Sequence, residues 1–157
     1  MESKVQLSKF SYILTLIITI ILIICCVSMI NETPKFWIVF GLLILLLFLG
    51  LLYGPTQINA NPEYVTVKTY LLKHKILVRD IESVELFRPT MGSIRLFASG
   101  GYFGYWGMFR DGLIGTYTGY YGKSSECFLV RMKNGSKYVL GCQNPEEMVK
   151  YIQSQIK

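Results

Sequence analysis

The chain has 157 residues, of which 52% are hydrophobic, and its formal net charge is +6. This positive excess is modest, and no basic run or recognition helix accompanies it, which argues against a nucleic-acid-binding protein. Four cysteines and one histidine, without the spacing of a zinc site, predict neither a bound metal nor a cofactor.

The first predicted element is a membrane-spanning helix at residues 12–30. These residues, YILTLIITIILIICCVSMI, contain no charged side chain. At 1.5 Å per residue such a helix is about 28 Å long, close to the thickness of the hydrocarbon core of a bilayer. The run is too long for the apolar part of a secretory signal peptide, and no small-residue cleavage site follows it.

A second uncharged run, residues 36–53, predicts a second span, and the short link NETPK makes the two spans an antiparallel hairpin. Lys4 and Lys9 precede the first span and basic residues follow the second, whereas the link carries one lysine offset by one glutamate. The positive-inside rule therefore predicts that both termini are cytoplasmic. Because neither span carries an acid, a base or an amide, we expect an anchor rather than a channel.

Residues 54–157 are predicted to form one soluble, mainly β domain, distinct from the tail and hairpin of residues 1–53. Runs rich in β-branched and aromatic residues predict strands within residues 63–72, 75–87 and 93–99. Asp80 marks a corner between two strands in the middle run.

The pair Asn134-Gly135 is the strongest turn signal in the chain and predicts a β-hairpin with a two-residue turn. In the strand register that a two-residue turn at Asn134-Gly135 imposes, Cys127 lies opposite Cys142. Because the cytoplasm is reducing, we expect two free thiols that pack side by side.

The chain is predicted to end in an amphipathic helix. Asn144 is a favourable N-cap, Pro145 fits the first helical position, and Glu146 and Glu147 suit the positive helix N-terminus. Apolar residues then recur on one stripe, so the helix should cap an open face of the β structure.

This order of elements resembles a pleckstrin-homology-like (PH) domain, and more specifically the bacterial PH family anchored by a transmembrane hairpin. The resemblance is carried by KILVRDIESVEL (75–86), RLFASGGYFGYWGMFRDGLIGTY (95–117) and YVLGCQNPEEMVKYI (138–152). It implies a strongly bent β barrel or sandwich of about seven strands, plugged by the C-terminal helix, and no catalytic residues. A phosphoinositide site is not carried over, because the basic cluster within residues 68–75 is thin.

The stretch from Gly92 to Gly122 is unusual because it combines nine glycines with nine aromatic residues. Three interpretations compete for it. It forms twisted strands whose glycines allow bends and whose aromatics fill a small barrel; it contacts the membrane, with Arg110 and Lys123 facing lipid phosphate; or it binds a partner protein. The candidate contact surface consists of Tyr102, Phe103, Tyr105, Trp106, Phe109 and Arg110.

Other titratable residues give weaker signals. His74 is expected on a solvated strand or turn. Asp80 and Glu82 share a strand face, but no nucleophile or metal set accompanies them, so we expect ordinary surface acids.

The leading hypothesis is a non-enzymatic binding or scaffold module, held by two helices at the cytoplasmic face of a bacterial inner membrane. Its partners are the lipid bilayer and an unidentified protein, and its oligomeric state stays open. One alternative is an accessory subunit of a larger membrane complex, with Gly41 and Gly50 allowing close approach of other helices. A second alternative, an enzyme acting on lipid or envelope precursors, requires a cluster of titratable groups that the sequence does not show.

Overall fold

The computed structural model describes residues 1–31, 33–90 and 92–156. Two long helices lie near the N-terminus, and a β-rich domain with a C-terminal helix follows, so the predicted fold class is confirmed. The helices are α1 Lys9–Ser28, α2 Thr33–Tyr53 and α3 Pro145–Gln155. The strands are β1 Glu2–Lys4, β2 Pro55–Ala60, β3 Tyr64–Thr69, β4 Lys73–Leu77, β5 Ile81–Leu86, β6 Ile94–Gly101, β7 Gly104–Asp111, β8 Gly115–Tyr121, β9 Cys127–Met132 and β10 Lys137–Gly141.

Helices α1 and α2 are both long and apolar enough to cross a membrane. Helix α1 begins at Lys9, about one turn before the predicted residue 12, because Ser8 caps it. The Oγ of Ser8 accepts a hydrogen bond of 3.0 Å from the N–H of Ser11. Many apolar side chains on both helices are exposed. An exposed apolar surface of this size is typical of a segment surrounded by lipid or by another protein.

The described strands form two sheets. The first has the order β1-β2-β3-β4 and the second the order β5-β9-β10-β8-β7-β6, in which β8 and β10 are parallel. The main core lies between the sheets and α3, where Met148 and Ile152 of the helix pack against Phe128 and Leu140. Helix α3 therefore closes the sandwich as the sequence predicts. The ten strands within the described residues exceed the expected number because the N-terminal tail adds β1 and the glycine- and aromatic-rich stretch forms three full strands.

The N-terminal tail is part of the first sheet. Strand β1 pairs antiparallel with β2, so that Ser3 lies opposite Ile58, and the amino group of Met1 donates a 2.7 Å hydrogen bond to the carbonyl of Ala60. Pairing of β1 with β2 places the segments before α1 and after α2 at the same end of the helix pair.

A buried carboxylate holds the connection between β5 and β6, which are the two edges of the second sheet. Asp111 is only 1% exposed. Its Oδ2 accepts hydrogen bonds from the N–H and hydroxyl of Thr90 and from the hydroxyl of Ser93, and its Oδ1 accepts from the N–H of Leu113. Burial by itself raises the pKa of Asp111, but these hydrogen bonds outweigh it and lower the pKa to about 2.

The register predicted for the Asn134-Gly135 hairpin is wrong by one residue. Lys137 pairs with Arg131, and the N–H of Met132 donates to the carbonyl of Ser136, which leaves a three-residue loop. Gly135 takes up the extra residue in the left-handed region, at φ 84°.

The shift in register separates the two cysteines. Cys127 pairs with Gly141 instead of Cys142. Because neighbouring residues of a strand point to opposite faces, Cys127 joins the aromatic cluster on the outer face of the second sheet, while Cys142 lies in the main core. Both are free thiols. The prediction that they lie opposite each other is wrong, because Cys127 pairs with Gly141.

Candidate functional site

The glycine- and aromatic-rich stretch forms a hairpin of β6 and β7 whose tip is Tyr102-Phe103. Gly101 pairs with Gly104 directly beneath the tip. Phe103 has a φ of 54°, a left-handed conformation that is uncommon for a residue with a side chain. The tip is tied internally, because the hydroxyl of Ser99 and the indole N–H of Trp106 both donate to the carbonyl of Tyr102, at 2.8 and 2.9 Å.

The tip of this hairpin rests on the two apolar helices. The N–H of Phe103 donates a 3.0 Å hydrogen bond to the hydroxyl of Thr15 in α1, and that hydroxyl donates in turn to the carbonyl of Ser11 at 2.8 Å. A backbone N–H next to an apolar helix pair would otherwise have no partner, so Thr15 satisfies the N–H of Phe103.

The ring of Phe103 lies against α2 at Gly50. A Cβ atom at position 50 would overlap this ring, so only glycine allows the observed approach. Gly50 therefore makes a close contact, as glycine in a span can, but the contact is with its own chain. Around Gly41, the other glycine of α2, no atom of the described residues beyond the adjacent helix backbone lies within 4 Å of the corresponding position.

A second contact lies two residue pairs beyond Gly101 and Gly104, where Ser99 pairs with Trp106. The ring of Trp106 stacks on the ring of Tyr53, the last residue of α2, with centroids 5.3 Å apart and planes 20° from parallel. Only Gly54 separates Tyr53 from β2. The hairpin and the short connection together fix the β domain against the helix pair.

The six predicted contact residues do not share one surface. Tyr102 and Phe103 form the tip, and Trp106 faces the helices. Tyr105 stacks on Tyr121 and Phe109 stacks on Tyr117, on the opposite face of the sheet. This alternation follows from the two-residue period of a strand.

Arg110 is exposed near the far end of the hairpin, opposite Ile94. It therefore lies several residue pairs away from the tip that meets the helices.

Sequence reasoning identified Gly50 as a site of close approach by another helix, but it did not identify the contact of Gly50 with Phe103 or the contacts of Thr15 and Tyr53. At least 49 residues of sequence separate Thr15, Gly50 and Tyr53 from Phe103 and Trp106. Neither span has a sequence pattern that indicates which residues of the β domain it contacts. The available signals were a glycine and a threonine within apolar runs, since small residues in spans often mark close packing.

The titratable candidates lie apart. The ring of His74 stacks on Tyr120 with centroids 5.3 Å apart, and burial lowers the pKa of this imidazole. The pocket beside it is lined by residues such as Lys73 and Lys75, and it contains neither Asp80 nor Glu82. Asp80 lies at the predicted corner, where its carboxylate is 3.7 Å from the guanidinium of Arg79.

The comparison with protein families matches residues 56–156 to the model described as bacterial PH domain. The chain belongs to the bacterial PH domain family. The matched range runs from β2 to the end of α3, so the helix pair and β1 lie outside the PH domain. The contacts of Phe103 and Trp106 thus join the PH domain to a part of the chain beyond the family match. Comparison with curated proteins and with solved structures gave no significant match.

Proposed function

We propose that this protein is a non-enzymatic, membrane-anchored binding or scaffold module that holds its PH domain at the inner face of a bacterial membrane. The observation that carries the proposal is the seating of Phe103 on Gly50 and Thr15. A domain on a flexible linker could reach the membrane in any orientation. A domain fixed at its aromatic tip presents a constant face to the bilayer and another to the cytoplasm.

The cytoplasmic orientation is supported by the charge flanking the helices. Lys4 and Lys9 stand at the end of the helix pair that meets the PH domain, and Lys9 is the first residue of α1. Basic residues close to a span favour the cytoplasmic side. Since β1 and β2 pair, the tail and the PH domain must lie on the same side of the membrane.

A binding role is favoured over catalysis by the family and by the placement of the titratable groups. PH-like domains are typically non-enzymatic binding modules, and His74, Asp80 and Glu82 do not meet in one pocket. Within residues 1–31, 33–90 and 92–156 no group of three or more His, Cys, Asp or Glu side chains is placed to hold a metal ion.

Two variants, each with one cysteine added to the native four, test this orientation without changing any charge. Asn31→Cys lies between the helices, and Ser136→Cys lies in the exposed loop between β9 and β10. With a membrane-impermeant maleimide on intact cells, we expect Asn31→Cys to be labelled and Ser136→Cys to be labelled only after lysis. The parent chain is the control for the four native cysteines, of which Cys127 and Cys142 are almost fully buried and Cys25 and Cys26 lie within α1. Labelling of Ser136→Cys on intact cells would reverse the proposed topology.

A second candidate function is an accessory subunit that packs through its helices into a larger membrane complex. The surroundings of Gly41 favour it, since among the described residues only the backbone of its own helix lies near the site where a side chain would begin. A small-residue site on an otherwise bulky apolar face allows another helix to approach closely. Gly41→Leu should then release the protein from a high-mass complex in mild detergent, whereas an unchanged mass would count against this candidate.

A further inference from the structure

An apolar groove of about 750 Å³ lies between the helix pair and the second sheet. Ile18 of α1 with Leu46 and Leu49 of α2 forms one wall, and Phe97, Trp106 and Met108 of the hairpin line the other. The groove belongs to neither the PH core nor the helix pair alone, because the seating of Phe103 creates it. Its volume lies in the range of about 300–1,000 Å³ that is typical of small-molecule sites.

The helix wall indicates what the groove contains. Counting from Tyr53, Leu49 and Leu46 lie about 6 and 10 Å along the axis of α2, and Ile18 lies about 13 Å beyond Lys9 in α1. In a bilayer with a hydrocarbon core of about 30 Å, this wall lies in the leaflet next to the PH domain. The groove is therefore continuous with the acyl chains of that leaflet.

The sheet wall is also suited to lipid. Phe97 is 86% exposed, and its neighbours Ile94 and Leu96 on the same strand are exposed as well. An edge strand that turned these side chains to water would be both unfavourable and prone to aggregation. Lipid against this wall removes Phe97, which lines the groove, from water.

We propose that this groove binds one acyl chain of a membrane phospholipid, held between the apolar helices and the face of Trp106, Met108 and Phe97. The inference rests on the proposed membrane anchoring and adds the class of ligand and its position. The lipid fills the wedge between α2 and the sheet and completes the contact that the aromatic tip begins.

Trp106 is a reporter inside the groove. The chain has two tryptophans, so Trp37→Phe leaves Trp106 as the sole tryptophan, and Trp106→Phe leaves Trp37. The full-length variants are placed in phospholipid vesicles whose acyl chains carry bromine, which quenches indole emission on contact. We expect Trp106 to be quenched strongly relative to vesicles without bromine.

A double variant that fills the groove with aromatic rings tests whether the quenching of Trp106 depends on the groove. Leu46→Phe with Met108→Phe adds two rings inside the groove, and we expect quenching of Trp106 to fall by about twofold, because these rings occupy space that an acyl chain needs. Leu45→Phe with Leu113→Phe is the matched control, since both residues are exposed and neither lines the groove. The control should leave quenching unchanged.

The possible results distinguish a failure of the acyl-chain site from a failure of the membrane anchoring. Quenching of Trp37 without quenching of Trp106 would overturn the acyl-chain site and leave the membrane anchoring intact. Equal quenching of Trp106 in the filled and control variants would also overturn the site, because general contact with the bilayer then explains the signal. Absence of quenching at both tryptophans would overturn the anchoring as well.

Discussion

Trp106 of strand β7 stacks on Tyr53 of helix α2, with ring centroids 5.3 Å apart. The two residues come from different parts of the chain, one inside the PH domain and one outside it. Their stack is the point where the apolar helices and the sheet are joined side chain to side chain, next to the backbone connection through Gly54.

The stack of Tyr53 on Trp106 should be measurable as a coupling energy. Tyr53→Ala and Trp106→Ala are each expected to destabilise the protein. The double variant should lose about 1 kcal/mol less than the sum of the two, since a stacked aromatic pair contributes roughly that amount beyond its burial. Chemical unfolding in detergent micelles, followed by circular dichroism, gives the four free energies. Tyr53→Ala combined with Trp37→Ala, at the far end of α2, should be additive.

Glycine at position 50 should be required for the docked arrangement. Gly50→Ala places a methyl group against the ring of Phe103, and overpacking of this kind typically destabilises a protein by about 1–3 kcal/mol. Gly41→Ala is the matched control in the same helix, where the added methyl meets nothing within 4 Å. Hydrogen exchange of the Phe103 amide should rise in Gly50→Ala alone. An unchanged exchange rate in that variant would contradict the observed docking.

Features set by local sequence were predictable, and those set by distant contacts were not. Long uncharged runs predicted both helices, because length and apolarity alone meet the requirement for a span. The pattern from Asn144 to Glu147 predicted the start of α3 at Pro145 for similarly local reasons, although the side chain of Asn144 makes no capping hydrogen bond. Strand β1 was missed, since Glu-Ser-Lys has no strand pattern and pairs only because β2 offers an edge.

The candidate site was predictable only on the hairpin side. The aromatic residues were visible in the sequence, but their alternation between two faces depends on the strand boundaries around Tyr102 and Phe103. The hairpin register failed for a related reason. Asn134-Gly135 fits both a two-residue turn and a three-residue loop with glycine in the left-handed region, and one residue of difference decides which way Cys127 points.

The two cysteines of the PH domain should be unreactive in the folded protein. Burial raises the pKa of the Cys127 thiol and also that of Cys142, so little thiolate is present at neutral pH. We expect slow modification by a maleimide in the native state and fast modification after unfolding. Ser136→Cys, in an exposed loop, should react rapidly and serves as the reference. Rapid modification of native Cys127 would show that the outer face of the sheet opens.

Asp111 should be a main support of the connection between β5 and β6. Asp111→Asn keeps the shape of the side chain but replaces an accepting oxygen with a donating amide, which faces the donors of Thr90, Ser93 or Leu113. Loss of hydrogen bonds to a buried charge should destabilise the protein by about 2–3 kcal/mol. Asp80→Asn is the control, since that side chain is exposed, and its effect should stay within about 0.5 kcal/mol.

The effect of Asp111 should also depend on pH in a defined direction. Its pKa is lowered to about 2 in the folded protein, whereas an unfolded aspartate titrates near its ordinary value of about 3.9. The stabilisation by the ionised carboxylate is therefore fully present above about pH 4 and is lost as the pH falls towards about 2. Asp111→Asn lacks this titration, so the difference in unfolding free energy between the parent and the variant should shrink across that interval. Urea unfolding of both proteins in micelles at a series of pH values measures the difference. A constant gap down to the lowest pH would mean that the charge of Asp111 contributes nothing and that only the shape of its side chain matters.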